Sequence, residues 1–181
     1  MSFNHIEKQY YARHFSLPKF GLEGQAKLKN ARVLVVGAGG LGCPVLQYLV
    51  AAGVGHIGIV DEDIVSMSNL HRQILYSIKD VGHAKAIVAK QRLQLLNPNI
   101  IIKAFVERFT IDNAKRLVAD YDIVVDGTDN FPTRYLVNDV CVLENKTNVY
   151  GSIFRFEGQV AVFNHLLEDG SRSANYRDIF P

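Results

Sequence analysis

A glycine-rich turn that directly follows an apolar run is the first stretch of this sequence that could do chemistry. In "VLVVGAGGLG", Gly37, Gly39 and Gly42 form the pattern G-x-G-x-x-G. Between a strand and a helix, such a turn presents backbone amides and a helix N-terminus to the phosphates of a nucleotide. The turn therefore predicts a nucleotide site, although it does not say which nucleotide binds.

An acidic residue stands where such a site needs one. The predicted strand "HIGIVD" ends in Asp61, which completes a βαβ unit with the glycine turn. In nucleotide-binding folds of this kind an acid at this distance binds the ribose hydroxyls. We expect that role for Asp61, and a turn at the strand end is the simpler alternative.

Positive side chains near the turn favour a nucleotide with more than two phosphates. Lys85 falls in the first turn of a helix predicted over 84–97, where the helix dipole disfavours a cation unless an anion is near. Arg72 lies in the polar loop "DEDIVSMSNLHRQ". NAD has only a pyrophosphate to neutralise, whereas ATP brings a third phosphate and usually a magnesium ion. The two cations therefore favour ATP.

Simpler interpretations remain open for these side chains. Lys85 could project into solvent, as most lysines do. Arg72 could pair with a nearby carboxylate such as Asp63. Asp129 could cap the helix that follows it.

The elements that would position these residues alternate between strand and helix over the first two thirds of the chain. Such alternation predicts an α/β fold with a Rossmann-like, mostly parallel sheet and helices on both faces. Two strands in succession add an antiparallel pair at its C-terminal end. The predicted strands are "VLVVG", "HIGIVD", "IIIKAF", "YDIVVDGT", "TNVYGSIF" and "GQVAVFN", and the predicted helices cover 41–53, 84–97, a short stretch after Thr110, and Pro132 to about Asn145.

Polar stretches follow three of the predicted strands, namely "GAGGLG", "DEDIVSMSNLHR" and "DGTDN". Because ligands of such sheets bind beyond the carboxyl ends of the strands, we expect these stretches to meet in one crevice. In the helix over 84–97, the spacing of Ala84, Ile87, Val88 and Leu95 predicts that they share the buried face.

Composition indicates a soluble globular chain with no strong bias toward a charged partner. Of the 181 residues 48% are hydrophobic and 21% are charged, and the net charge is +2. We therefore expect neither a nucleic-acid nor a membrane partner. Cys43 and Cys141 lie within apolar helical patterns, which predicts buried thiols rather than a disulfide or a metal cluster. With no signal-peptide pattern at the start, we expect a cytoplasmic protein.

Four linked motifs carry a resemblance to a known family. "GAGGLG", "DEDIVSMSNLHRQ", "VGHAK" and "DGTDN" occur in an order and spacing that resemble the adenylating enzymes of ubiquitin-like sulfur carriers, the MoeB and ThiF family related to ubiquitin-activating enzymes. The opening "YYARHFSLPKFGLEGQAKLKNARVLVVG" is similar to the start of these enzymes as well. The likeness runs from about Tyr10 to Pro181.

The resemblance implies an activity and roles for the motif residues. Family members use ATP and magnesium to join AMP to the C-terminal glycine carboxylate of a small carrier protein, and they release pyrophosphate. Carried over by position, Gly40 would lie against the nucleotide, Asp61 would bind the ribose and Lys85 would contact phosphate oxygens. Asp129 would hold magnesium, with Asn130 beside it.

The resemblance also implies a shared active site. Ser68, Asn69 and Arg72 would belong to the loop that meets the phosphates, and Arg13 corresponds to the arginine that enters the site of the neighbouring subunit. We therefore expect a homodimer, and the alternative is an N-terminal arm folded on its own domain with Arg13 in solvent. These cations would stabilise the negative charge of the transition state, and a carboxylate already ionised at neutral pH needs no general base.

The family pattern is broken near the end of the sequence. Relatives have a zinc site that includes C-x-x-C in a segment resembling "CYRCLFP", whereas this chain has "NYRDIFP" with Asn175 and Asp178 in the cysteine positions. We therefore expect no structural zinc. We expect 1–181 to form a single nucleotide-binding domain with a helical arm over about 1–30 and without the C-terminal part of the family domain.

Two other functions remain open from sequence. A nicotinamide-dependent oxidoreductase shares the glycine motif, but it would need a catalytic acid or base that the sequence does not offer. A non-catalytic module on the same fold could bind a partner without activating it.

Overall fold

Six strands form one sheet in the computed structural model, which describes residues 2–181. The strands are β1 (Arg32–Val36), β2 (His56–Val60), β3 (Ile101–Phe105), β4 (Ile123–Asp126), β5 (Thr147–Phe154) and β6 (Glu157–Phe163). Their spatial order is β3-β2-β1-β4-β5-β6, in which β1 to β5 pair in parallel and β6 pairs antiparallel to β5. The predicted mostly parallel sheet with an antiparallel end is confirmed.

Helices cover both faces of this sheet. They are α1 (His5–Tyr10), α2 (Ala12–Phe15), α3 (Gly21–Asn30), α4 (Gly42–Ala52), α5 (Lys85–Leu96), α6 (Ile111–Val118), α7 (Phe131–Leu143) and α8 (Tyr176–Ile179). Because side chains alternate along a strand, Val33 and Val35 of β1 face α4 and α5, whereas Leu34 and Val36 face α6 and α7. Burial on both faces explains the unbroken apolar sequence of β1.

The predicted buried face of α5 is only partly correct. Val88 is buried, but Leu95 is 84% exposed and Ile87 is exposed as well. Small residues and a lysine form the buried face instead, so this face of α5 cannot be recognised from the hydrophobicity of its residues. Its buried residues are Lys85, Ala86, Val88, Ala89 and Leu93.

The N-terminal arm, α1 to α3, is fixed to the domain by buried amide side chains. Gln25 is fully buried and donates to the carbonyl of Ala52 at 3.0 Å. Asn97, equally buried, donates to the carbonyl of Val50 at 2.9 Å and to the hydroxyl of Tyr11 at 2.7 Å. These bonds give the arm a defined position on its own chain.

Within residues 2–181, none of the helices is both long enough and apolar enough to span a bilayer.

Candidate nucleotide site

Two glycines of the turn after β1 are required by close backbone approach. Gly37 has a φ of +92°, and a Cβ there would lie 2.9 Å from the carbonyl oxygen of Gly127, which follows β4. A Cβ on Gly42 would collide with the carbonyl oxygen of Gly37. The turn is therefore locked against the end of β4, and a larger residue at either position would separate the two.

The middle of the turn offers free hydrogen-bond donors. The amide of Ala38 donates to Asp61 Oδ2 at 2.7 Å. The next amides, those of Gly39, Gly40 and Leu41, donate to no group in the described part of the chain. Three successive free amides at the start of α4, together with the dipole of that helix, form an anion site.

A cleft of about 510 Å³ opens at this turn, beyond the carboxyl ends of β1, β2 and β4. The structure confirms that the three polar stretches meet there, at the point where the strand order reverses on either side of β1. Of the residues singled out from the sequence, those that line the cleft are Gly37, Gly39, Gly40, Asp61, Arg72, Lys85, Asp129 and Asn130.

Asp61 is held in place by two backbone amides. Its Oδ2 accepts from Ala38, and its Oδ1 accepts from Asp63 at 2.9 Å. Burial raises the pKa of the Asp61 carboxyl, and these two bonds partly oppose that shift. Each oxygen keeps a second lone pair, so the carboxylate can still accept a ligand hydroxyl.

Lys85 is buried against the cleft and paired with an acid. Its Nζ lies 2.7 Å from Asp63 Oδ2, so the suggestion that it projects into solvent is wrong. The same ion pair supplies the anion that a lysine at the start of α5 needs. Asp63 therefore pairs with Lys85, and no ion pair between Asp63 and Arg72 is present in residues 2–181.

Arg72 and Asp129 line the cleft and form no ion pair with the part of the chain that the structure describes. The Arg72 side chain passes close to Gly40, and its Nη1 is 3.5 Å from the carbonyl of Ser68. Asp129 is exposed and forms neither a hydrogen bond nor an ion pair with the described residues. Its neighbour Asn130 caps α7 by accepting from the amide of Thr133 at 3.0 Å, so Asp129 is not the cap.

Four predicted site residues do not line this cleft. Ser68 and Asn69 lie on a short 3-10 turn, where Ser68 Oγ is 3.0 Å from Ser66 Oγ. Gly42 lies behind the turn, in the contact already described. Arg13 lies on α2, and its side chain is exposed. In the single chain Gly42 packs against Gly37, and the carbonyls of Ser68 and Asn69 accept from Arg72. Arg13 bonds to none of the other predicted site residues within residues 2–181.

The cleft also contains cations and amides that sequence reasoning missed. Gln73 is 4% exposed and its Oε1 has no partner. Arg108 follows β3 and lies 3.6 Å from Glu62, and Arg134 lies on α7. A signal was present for Arg108, which follows a fourth strand end, whereas the sequence around Arg134 gives no local sign of its burial.

Cys43 and Cys141 are core thiols, as the sequence predicts. Both are fully buried, and burial raises the pKa of Cys43 to about 11 and the pKa of Cys141 to about 12. Thiols with such pKa values stay protonated at neutral pH and react slowly.

The two positions of the broken zinc motif form a helix cap. The side chain of Asn175 accepts from the amide of Arg177 at 2.9 Å. Asp178 in turn accepts from the Asn175 amide at 2.8 Å. The two residues satisfy the first amides of α8, which is a structural use of their side chains.

Comparison with known proteins supplies the family. A family model described as "ThiF family" matches residues 11–181. The chain belongs to the ThiF family. Over 97% of its length it is 56% identical to a sulfur carrier protein adenylyltransferase of Thermus thermophilus. Over 94% it is 53% identical to a probable adenylyltransferase/sulfurtransferase, MoeZ, of Mycobacterium tuberculosis.

Among solved structures, this ThiF-family chain is similar to E. coli MccB with ATP. The TM-score is 0.71 at 32% identity, over 79% of this chain and 44% of that one. The chain spans 65% of the length of the Thermus relative and 43% of MoeZ.

Proposed function

We propose that this chain adenylates the C-terminal glycine carboxylate of a ubiquitin-like sulfur-carrier protein, with ATP as the AMP donor and pyrophosphate as the product. The observation that carries the proposal is one cleft in which three free amides of the glycine turn lie together with two cations, Arg72 and Lys85, and an exposed carboxylate, Asp129. The names of the two relatives and the ATP complex of MccB support it.

The chemistry needs positioning and charge rather than a base. A carboxylate oxygen of the carrier forms a bond to the α-phosphorus, and the bond from that phosphorus to the pyrophosphate oxygen breaks. The glycine-turn amides, Arg72 and Lys85 would neutralise phosphate oxygens where negative charge accumulates. Asp61 would accept from the ribose hydroxyls. Because the carboxylate is ionised at neutral pH, no general base is needed.

Asp129 fits a magnesium ion bound mainly through phosphates. It is an exposed carboxylate at the cleft with no partner among the described residues. Magnesium usually takes one or two protein carboxylates and completes its shell with phosphate oxygens and water. When bound, the ion would withdraw negative charge from the phosphates and the leaving pyrophosphate. Asn130 orients this loop through its cap on α7.

The active unit in this proposal is a homodimer in which Arg13 enters the partner's site. Arg13 is exposed on α2. Tyr11, which directly precedes this helix, is 4% exposed and is hydrogen-bonded to Asn97. A cation on such a fixed element can be presented to a second chain with little loss of conformational entropy. Ser68 and Asn69 are proposed to meet the phosphates when the nucleotide is bound.

Three further proposals concern zinc, the cellular compartment and other binding partners. We propose that the protein holds no zinc at Asn175 and Asp178, because an amide and a carboxylate engaged in a helix cap do not replace two thiolates. We propose that the enzyme is cytoplasmic, since its proposed use of ATP and its two free thiols suit a reducing compartment. We propose no nucleic-acid or membrane partner, since the net charge of +2 provides no basic surface excess.

Carrier-dependent exchange of labelled pyrophosphate into ATP tests this function. We expect exchange with the sulfur carrier of Thermus thermophilus and none without it. Asp129→Asn should abolish the exchange, whereas Asp120→Asn, on a surface aspartate that pairs with Lys103, is the matched control and should not. Exchange without the carrier, or no exchange with it, would exclude the proposed reaction. An NAD-dependent oxidoreductase or a non-catalytic module would give no exchange.

A further inference from the structure

Arg134 is a buried cation in the wall of the cleft that forms no ion pair with residues 2–181. Arg134 is 8% exposed. Its Nη2 donates to the carbonyl of Thr128 at 3.2 Å, and its Nε has no partner. The guanidinium carbon lies 5.4 Å from the ring centre of Phe131 and 5.1 Å from that of Tyr150. These neighbours orient the group without neutralising it.

The other cations of the cleft are accounted for differently. Lys85 pairs with Asp63, and Arg108 pairs with Glu62. Within residues 2–181, Arg72 and Arg134 are the cleft-lining cations that form no ion pair. Arg72 is exposed and can rely on water. Burial raises the pKa of the Asp126 carboxyl and the charge of Arg134 partly opposes that shift, but the two groups form no ion pair within residues 2–181, so burial of the Arg134 guanidinium still costs free energy. An anionic ligand would remove that cost at Arg134.

Arg134 also lies on a different side of the cleft from the cations near the glycine turn. Lys85 begins α5, which packs on the sheet face that also carries α4. Arg134 belongs to α7 on the opposite face and contacts Tyr150 of β5. Because β5 and β2 flank the β4–β1 pair from opposite sides, the two cation sets border opposite ends of the cleft. Two anions could therefore be bound and brought together between them.

We propose that Arg134 binds the C-terminal carboxylate of the carrier and holds it beside Asp129 for attack on the α-phosphate. This inference rests on the proposed function and deepens it by assigning the residue that recognises the acceptor. A guanidinium suits the planar carboxylate group, and its fixed position between two rings reduces the entropy lost on binding. One carboxylate oxygen would bind to the guanidinium while the other approaches the phosphorus.

A ratio of affinities tests the assignment. The Thermus thermophilus carrier is prepared with its normal C-terminal carboxylate and with a carboxamide, and each is titrated onto the chain with a non-hydrolysable ATP analogue present. The wild-type chain should bind the carboxylate form about tenfold more tightly. Arg134→Gln should reduce this preference to about twofold or less, and Arg134→Lys should give an intermediate preference.

The matched control is Arg72→Gln, which removes the other unpaired cation. This variant should bind ATP more weakly and still prefer the carboxylate form of the carrier. Because each variant is compared with itself, a general loss of affinity cancels in the ratio. If thermal melting shows that Arg134→Gln is not folded, the affinity ratio of Arg134→Lys is used instead. That substitution replaces the planar guanidinium by a single ammonium charge.

The inference is overturned if the wild type does not distinguish the two carriers, or if a folded Arg134 variant keeps the wild-type ratio. That outcome differs from failure of the proposed function. A wild-type chain that supports carrier-dependent pyrophosphate exchange, with an unchanged ratio in the Arg134 variants, would retain the function and remove only this assignment.

Discussion

Lys85 and Asp63 are joined twice, once through their side chains and once through their backbones. The Nζ to Oδ2 distance is 2.7 Å, and the Lys85 amide donates to the Asp63 carbonyl at 2.9 Å. The pair is unequal, because the lysine side chain is 5% exposed and the aspartate side chain is 63% exposed. Both residues also line the cleft, where an incoming phosphate would compete with Asp63 for the ammonium group of Lys85.

The two members of this pair should respond in opposite ways to substitution. Lys85→Met removes a positive charge from the cleft, so we expect ATP affinity to fall by about tenfold or more, close to 1.4 kcal/mol. Asp63→Asn leaves a buried cation without its partner, so we expect a lower melting temperature but no loss of ATP affinity. Calorimetric titration and thermal melting measure both quantities.

Added ATP should raise the melting temperature of Asp63→Asn more than that of the wild type, because the phosphates replace the missing carboxylate. Equal weakening of ATP binding by the two substitutions would instead show that the pair matters only for local structure.

Nucleotide choice follows from the charges of the cleft. We expect ATP with magnesium to bind more tightly than NAD, since Arg72 and Lys85 can contact a third phosphate and Asp129 can hold magnesium. Removal of magnesium with a chelator should weaken ATP binding in the wild type and have little effect in Asp129→Asn. Tighter binding of NAD, or ATP binding indifferent to magnesium in the wild type, would argue against adenylation.

Mixing two inactive variants tests the shared site. Arg13→Ala and Asp129→Ala should each abolish pyrophosphate exchange, and part of the activity should return when they are mixed. If Arg13 acts across the interface, each mixed dimer contains one site with both residues intact. With subunit exchange verified, no recovery would place Arg13 in its own chain's site or outside the chemistry.

The thiols provide a test that does not depend on activity. Since burial raises the pKa of Cys43 to about 11 and of Cys141 to about 12, both should be inert to a thiol-specific reagent in the native protein. In denaturant both should react rapidly. Fast native labelling of Cys43 would mean that the start of α4 activates its sulfur.

The fold could be predicted largely from local sequence because its signals are short-range. The apolar strands, the glycine turn after β1 and Gly53 at the end of α4 each act within a few residues, and Gly53 adopts a left-handed conformation with a φ of +88°. The buried face of α5 could not be predicted from periodicity. It includes Lys85, whose partner Asp63 is 22 positions earlier.

The site shows the same division between local and long-range signals. The glycine turn and Asp61 were found from their spacing and Lys85 from its place at the start of a helix, whereas the roles of Asp129 and Arg13 needed the family resemblance. Arg134 escaped both, because its burial and its position between two aromatic rings arise only when α7 packs beside β5. An arginine within a helical sequence gives no sign of such an environment.

If a carboxylate oxygen of the carrier attacks the α-phosphorus of ATP, that oxygen must end in AMP, and isotope transfer can follow it. The Thermus thermophilus carrier is prepared with a heavy-oxygen isotope in both oxygens of its C-terminal carboxylate and incubated with the chain, ATP, magnesium and hydroxylamine. Hydroxylamine attacks the acyl carbon of the adenylate, so AMP leaves with the oxygen that came from the carboxylate. Mass spectrometry should find one heavy oxygen in each AMP produced. Consumption of ATP that yields only unlabelled AMP, or no AMP, would contradict the account.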